Sequence, residues 1–310
     1  MDAQSAGRFE ALAPADLRQA LGYILAAPLS GGPAGQGHVA PFCTYLEQGS
    51  VAWEGLRCGP PAAPTALFLA LRLPGRTGIV MIPPPGELGI DPAAQLAVMG
   101  AGLAALHRHR LHYAQALLEP EAVGKRALLE QAGFGPLASL LYLERSARFP
   151  WVDPPPASAV EWVRYGPATH AAFAETVLAT YQDSLDCPEL TGLRPIEDIL
   201  AAHQASGRFD PDLWELARRD GQTAGCALLS RAAQGPIVEL VYMGVVPAWR
   251  GRGVGDLLLR RTLARCREAG ARHITAVVDA RNTPARRLYD RFAFGPVARR
   301  EAYLYRWPAA

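Results

Sequence analysis

Apolar positions along this chain fall into short continuous runs and into stripes at helical spacing, and together they predict its elements. In the second half, Val160–Arg164 reads as a short strand. Ala168–Tyr181 reads as a helix with Phe173, Val177 and Leu178 on its apolar side. Ile196–Gly207 reads as a second helix. Leu213–Arg218 and Gly225–Ser230 read as paired strands around an Asp220-Gly221 turn. Ile237–Val246 is a long apolar strand that ends at Pro247. Arg252–Ala269 carries Leu259, Leu263 and Cys266 at near-helical spacing. His273–Asp279 is another strand, and Pro284–Phe292 is a helix with proline at its start, where the missing N–H costs nothing. Ala302–Trp307 is expected to close the sheet. Strands followed by a strand–helix–strand unit predict a mixed α/β (α+β) architecture.

The first half repeats this pattern weakly. Glu130-Gln131-Ala132-Gly133-Phe134-Gly135-Pro136 parallels Arg291-Phe292-Ala293-Phe294-Gly295-Pro296. Leu141–Arg145 parallels Ala302–Arg306, and the stretch from Arg110 to Leu118 parallels Ala271–Val278. Three pieces in one order favour a duplicated domain. The prolines at 154–156 cannot continue a helix or a central strand, so they mark a linker. The expected division is residues 1–149, a linker at 150–157, and residues 158–310.

Composition agrees with two domains. The chain has 310 residues, of which 50% are hydrophobic and 19% charged, so whole-chain disorder is excluded. A net charge of +2 argues against a general nucleic-acid or membrane-surface binder. That balance hides an asymmetry. Residues 151–240 carry six Arg against 13 Asp and Glu, whereas residues 241–310 carry 14 Arg against five. A basic stretch suits an anionic ligand and an acidic one a cationic ligand. Five cysteines without C-x-x-C spacing point to a reducing compartment rather than to disulfides or structural zinc. The chain begins without a cationic leader and lacks an apolar run of about 18 residues, so a cytoplasmic location is expected. Asn282 is the only asparagine and Lys125 the only lysine, a bias that makes each position conspicuous.

The chemistry concentrates after the long strand. Arg250-Gly251-Arg252-Gly253-Val254-Gly255 follows Pro247 and opens a helix. Glycines let the backbone approach an anion closely, and the free N–H groups and dipole of a helix start favour phosphate. The G-x-G-x-x-G spacing and the P-loop Gly-Lys-Ser/Thr are both absent. A glycine-rich helix entry also occurs without any ligand.

This strand–loop–helix resembles motif A of the GNAT N-acetyltransferase superfamily. The motif, Q/R-x-x-G-x-G/A, is met by Arg250, Gly253 and Gly255. A second element is similar too. Asn282-Thr283-Pro284-Ala285-Arg286-Arg287-Leu288-Tyr289, then Phe294-Gly295, follows the family's N-x-x-A-x-x-L-Y. The resemblance covers about residues 158–307. It implies two GNAT-like domains in tandem, each a mixed, mostly antiparallel central sheet flanked by helices.

The resemblance also implies roles. Arg250, Gly251, Arg252, Gly253, Val254, Gly255 and Asp256 would hold the pyrophosphate of acetyl-CoA. Val245 and Val246 would pair with its pantetheine arm, and Asn282 would contact that arm. Tyr289 would protonate the leaving thiolate, and a phenol of pKa about 10 suits a thiol of about 8.5. Glu239, eleven residues before Arg250, is the first candidate for the base, although a strand glutamate is as often a solvated face residue. Other members carry the base five residues before the motif asparagine, where this chain has Val277. Tyr181, Asp183, Ser184 and Asp186 lie between the first two helices, where the family closes over the acceptor.

In the first half, the matching region near Gly78–Ala97 lacks the Arg/Gly cradle. Glu87 and Asp91 would repel a pyrophosphate, and Leu129 stands in place of Tyr289. That half is expected to be a degenerate, non-catalytic copy that packs on the other as a pseudo-dimer. His107, His109 and His112 end a helix without an acidic or Cys partner, so no metal is expected. The reading is an acetyl-CoA-dependent N-acetyltransferase for a small-molecule or peptide amine, working by direct transfer in a ternary complex. The competing class is a non-catalytic acyl-CoA-binding module.

Overall fold

Alternation and apolar runs become strands in both halves. The computed structural model describes residues 9–25, 42–44, 46–47, 51–153, 160–233 and 235–308, so the prolines at 154–156 lie outside the described residues. The chain divides into two units. Unit 1 is Met1–Leu137 with Glu301–Ala310, and unit 2 is Ala138–Arg300.

In chain order, the first half contains β1 (Glu10–Ala11), α1 (Leu17–Leu25), β2 (Ala52–Cys58), β3 (Ala66–Leu73) and β4 (Thr77–Met81). It continues with α2 (Pro92–His107), β5 (Tyr113–Leu118), α3 (Val123–Gln131) and β6 (Gly135–Ser146). The second half contains β7 (Glu161–Arg164), α4 (His170–Tyr181), α5 (Ile196–Gln204), β8 (Arg208–Arg219), β9 (Gln222–Arg231) and β10 (Ile237–Val245). It ends with α6 (Val254–Glu268), β11 (His273–Asp279), α7 (Thr283–Arg291) and β12 (Gly295–Tyr305). Asp220 and Gly221 both take positive φ, 52° and 74°, as the two-residue β8–β9 turn requires. Leu178 departs from expectation. Phe173 and Val177 are fully buried, but Leu178 is exposed because the buried stripe of α4 continues through Ala174, Thr176 and Thr180 instead.

Each unit builds the same sheet. In unit 1, β2, β3 and β4 pair antiparallel, β4 and β5 pair parallel, and a last strand adds antiparallel to β5. In unit 2, β7 to β10 pair antiparallel, β10 and β11 pair parallel, and a last strand adds antiparallel to β11. The last strands are exchanged. Ala302–Tyr305, expected to close the second sheet, pairs with Ala114–Leu117 of unit 1. Leu140–Ser146, from the first half, pairs with His273–Asp279 of unit 2. The two segments are near copies in pattern, so alternation suits either edge and the sequence leaves the choice open.

Arg145 rides on the exchanged strand into the core of unit 2, where it is 2% exposed. Its Nε donates to the Phe292 carbonyl at 2.9 Å, one amino group donates to the Pro150 carbonyl at 2.5 Å, and the guanidinium lies over Trp151. Truncating it leaves two carbonyls without these donors and opens a void. Arg145→Ala is expected to destabilise unit 2 by about 2–4 kcal/mol. Urea unfolding followed by tryptophan fluorescence measures the loss, and an unchanged midpoint would refute it. Among the described residues, no helix is long and apolar enough to cross a membrane.

The feature that positions the site is a fork. The parallel pairing of β10 with β11 runs only from Ile237↔His273 to Leu240↔Ala276. Beyond it β10 continues to Val245 and β11 to Asp279 without pairing to each other. A bulge against β9 between Leu240 and Tyr242 marks the same place on β10.

Candidate active site

A cavity of about 670 Å³ opens in unit 2 beside the start of α6. Met243, Gly244 and Val245 form one wall where β10 has left its partner. Arg250, Gly251, Gly253, Gly255 and Asp256 form the end wall, and Asn282, Pro284, Ala285 and Leu288 bring in the start of α7. Asp183, Ser184, Leu185 and Asp186, after α4, complete the lining. Of the residues singled out in the sequence, Tyr181, Glu239, Val246, Arg252, Val254 and Tyr289 stand outside this lining.

The end wall contains an uncapped helix start. Gly253 caps α6 at φ 79°, a left-handed conformation that costs a side-chain-bearing residue about 1 kcal/mol or more. No side chain caps α6, so its first-turn amides are left for a ligand. The matching helix of unit 1 is closed, because Asp91 Oδ2 accepts from the Ala94 amide at 2.6 Å. The offset that sets Leu129 against Tyr289 also sets Lys125 against Ala285. In unit 1 the Lys125 side chain is buried and its Nζ donates to the Ile24 carbonyl, where unit 2 has the small Ala285 on the cavity wall.

Arg250 has another task besides lining the wall. Its guanidinium donates to the carbonyls of Val245, Thr180, Gln182 and Asp183 at 2.7–3.1 Å. It ties the end of α4 to the end of β10, so a ligand meets its backbone rather than a free cation. Arg252 lies over the Trp249 ring, 5.5 Å from its centroid. Asp256 is paired with Arg260 at 2.7 Å and Arg291 at 3.6 Å. Asn282 caps α7, with Oδ1 accepting from the Ala285 amide at 3.2 Å, and it also lines the cavity.

A buried carboxylate clamps the loop after α4. Asp279 is fully buried at the tip of β11. It accepts from the Cys187 amide at 3.2 Å and from the Arg281 guanidinium at 2.7 Å. The Asp279 amide in turn donates to Asp186 Oδ1 at 2.8 Å, and Arg281 also grips Glu189 at 2.6 Å. Arg281 holds the Asp279 and Glu189 carboxyls below their usual range despite the cost of burial. Desolvation, with the Asp279 charge adding, pushes the Asp186 carboxyl up, although the residue as a whole is exposed. Asp186, Cys187 and Asp279 come within 4.8 Å of one another, as metal ligands do. The chemistry of that set is otherwise, because Arg281 already neutralises Asp279 and burial pushes the Cys187 thiol up to about 12. This clamp was missed in the sequence, where the only signal was an aspartate ending a strand two residues before an arginine.

Tyr242 and Thr180 were also missed. Both line the cavity, and their hydroxyls share a hydrogen bond of 2.7 Å. Gly244 makes the approach feasible, since a Cβ there would stand 2.6 Å from Thr180 Cβ. Tyr181 packs edge-on against Tyr242 rather than reaching the cavity. Tyr289 is buried against Phe294 and makes no side-chain hydrogen bond among the described residues. Burial raises its phenol, and the charge of Asp186 adds to the rise. Glu239 sits on the last rungs before the fork, paired with Thr275. It is half-buried, and desolvation raises its carboxyl.

The family model described as Acetyltransferase (GNAT) family matches residues 177–294. That stretch is a GNAT domain. It contains the fork, the uncapped start of α6 and all of α7. Curated relatives of the chain are named mycothiol acetyltransferase. The protein of Thermomonospora curvata is 38% identical over 109 residues, 35% of this chain and 36% of that one. The protein of Acidothermus cellulolyticus is 30% identical over 190 residues, 56% of each chain. The chain thus spans about a third to about half the length of these relatives. The fold extends the likeness beyond the GNAT domain. A GCN5-related N-acetyltransferase from Sphaerobacter thermophilus superposes with a TM-score of 0.65 at 21% identity, covering 98% of this chain and 97% of that one. A tandem GNAT protein from the clavulanic acid biosynthesis pathway gives 0.57 at 16% identity, covering 97% and 99%.

Proposed function

We propose that the GNAT domain transfers an acetyl group from acetyl-CoA to a primary amine by direct attack in a ternary complex. The observation that carries this reading is the fork between β10 and β11, opening beside the uncapped N-terminus of α6. Free strand edge suits the amide-bearing pantetheine arm, and free helix amides suit the pyrophosphate. Asp183 and Asp186 also line the cavity, and their carboxylates suit a cation. The names of the curated relatives, all acetyltransferases, agree with the transferred group.

The chemistry then falls to two residues. Glu239 takes one proton from the acceptor ammonium, directly or through water, and a raised carboxyl pKa makes it a stronger base. The amine nitrogen bonds to the thioester carbonyl carbon, and the carbon–sulfur bond breaks. Tyr289 gives its phenolic proton to the departing sulfur, and the second nitrogen proton restores the phenol. The proton on Glu239 leaves to solvent. Cys187, with its thiol held protonated, is unsuited to carry an acyl group between two half-reactions.

The test is to incubate the chain with acetyl-CoA and a panel of primary amines, and to follow free thiol. Amine-dependent thiol release, with the acetylated amine found by mass spectrometry, is the expected result. Acetyl-CoA binding without turnover on any amine would make the protein an acyl-CoA-binding module instead.

A further inference from the structure

The sheet of unit 2 has two faces with different contents. Leu240, Ala276, Val278, Leu141 and Leu143 point into the core that includes α6. Strand alternation therefore turns Glu239, Thr275, Val277, Tyr142 and Glu144 to the opposite face. The register sets their order. Glu239 stands beside Thr275, and Thr275 beside Glu144. One rung nearer the open end of the fork, Val277 stands beside Tyr142. The next rung is Asp279 beside Leu140, and Asp279 is where the loop bearing Asp186 and Cys187 is clamped.

These rungs order one face of the sheet. Glu239 lies at one end, the clamped loop at the other, and Val277 and Tyr142 between them. The middle of the face is accessible, since Val277 is 37% exposed and Tyr142 is half-buried. Burial raises the Tyr142 phenol; Arg300 acts against the rise, and the charge of Glu239 adds a smaller contribution to it. The Tyr142 hydroxyl makes no hydrogen bond among the described residues, so it has both a donor and an acceptor to offer.

We propose that Tyr142 is an acceptor-positioning residue, whose hydroxyl hydrogen-bonds the incoming amine substrate and aims its nitrogen at Glu239. The inference rests on the acetyl-transfer reading above. It assigns a part of the acceptor site to a strand contributed by the first half of the chain, the half that lacks the anion-binding loop. It also narrows the substrate class. The acceptor is a primary amine with a hydroxyl or amide on the neighbouring carbons, which the phenol can engage while Glu239 takes the ammonium.

The full chain is assayed with acetyl-CoA and four amines: ethanolamine, glucosamine, glycinamide and propylamine. The wild type is expected to favour the first three over propylamine. Tyr142→Phe is expected to raise KM for the best amine three- to tenfold, the worth of one neutral hydrogen bond, and to erase its advantage over propylamine. Acetyl-CoA affinity, measured by calorimetry, and Tm stay within error of the wild type, because phenylalanine keeps the ring. An unchanged KM and an unchanged amine preference in Tyr142→Phe overturn the proposal. So does a fall in acetyl-CoA affinity or Tm that tracks the loss of activity, which would make Tyr142 a packing residue. A wild type that binds acetyl-CoA but acetylates none of a broad amine panel overturns the acetyl-transfer reading itself, and this inference falls with it.

Discussion

Tyr289→Phe will lower kcat by about 100-fold or more, the usual worth of a positioned general acid. It will leave the affinity for acetyl-CoA within about twofold. Tyr289 is buried against Phe294 and stands outside the cavity lining, so the ring, which phenylalanine retains, accounts for its packing. Its hydroxyl makes no hydrogen bond among the described residues, so removing it breaks nothing that holds the fold. What is lost is the proton for the departing sulfur. Burial and the Asp186 charge raise the phenol, which keeps that proton in place across the working pH range. Pre-steady-state thiol release and calorimetric binding of acetyl-CoA separate the two quantities. A large loss of binding, with turnover falling only in proportion, would show that the hydroxyl is structural.

Glu239→Gln will lower kcat/KM for the amine by about 100-fold or more near neutral pH. The pH profile gives the stronger check. A base works only when deprotonated, so in the wild type kcat/KM falls as pH drops through the Glu239 pKa. Desolvation raises that pKa, so the falling limb lies above the usual carboxylate value of about 4.3. In Glu239→Gln this acidic limb disappears, while acetyl-CoA affinity is retained because Glu239 is not part of the cavity wall. A variant that keeps the limb would pass the role of base to another carboxylate, with Asp186 first in line. Its carboxyl is raised as well, and only Oδ1 has a hydrogen bond among the described residues.

Asn282 shows how far a single conspicuous residue can be read. It stands on the cavity wall. Its side-chain oxygen, however, caps α7 through the Ala285 amide. Local spacing predicts a cap as readily as a ligand contact, because both need an amide at the start of a helix. Arg250 repeats the lesson. The motif placed it at the mouth of α6, but its guanidinium is committed to the carbonyls of Val245, Thr180, Gln182 and Asp183. Three of those four partners lie about 70 residues upstream, beyond the reach of any local pattern.

The sequence by itself determined the elements of the second half, the glycine-rich helix entry from Arg250 to Gly255, and the absence of that pattern in the first half. These depend on alternation, helical spacing and glycine placement, which are properties of neighbouring residues. Only the tertiary structure decided which sheet receives which last strand, and with it that Arg145 and Tyr142 belong to unit 2. It also decided that Asp279 anchors the loop after α4 through the Cys187 amide and pairs with Arg281. The physical reason is the same in each case. The two last strands share an alternation that does not assign them to an edge, and a buried carboxylate is joined by partners about 90 residues away. Such choices are made by packing and charge between distant segments, and no window along the chain contains them.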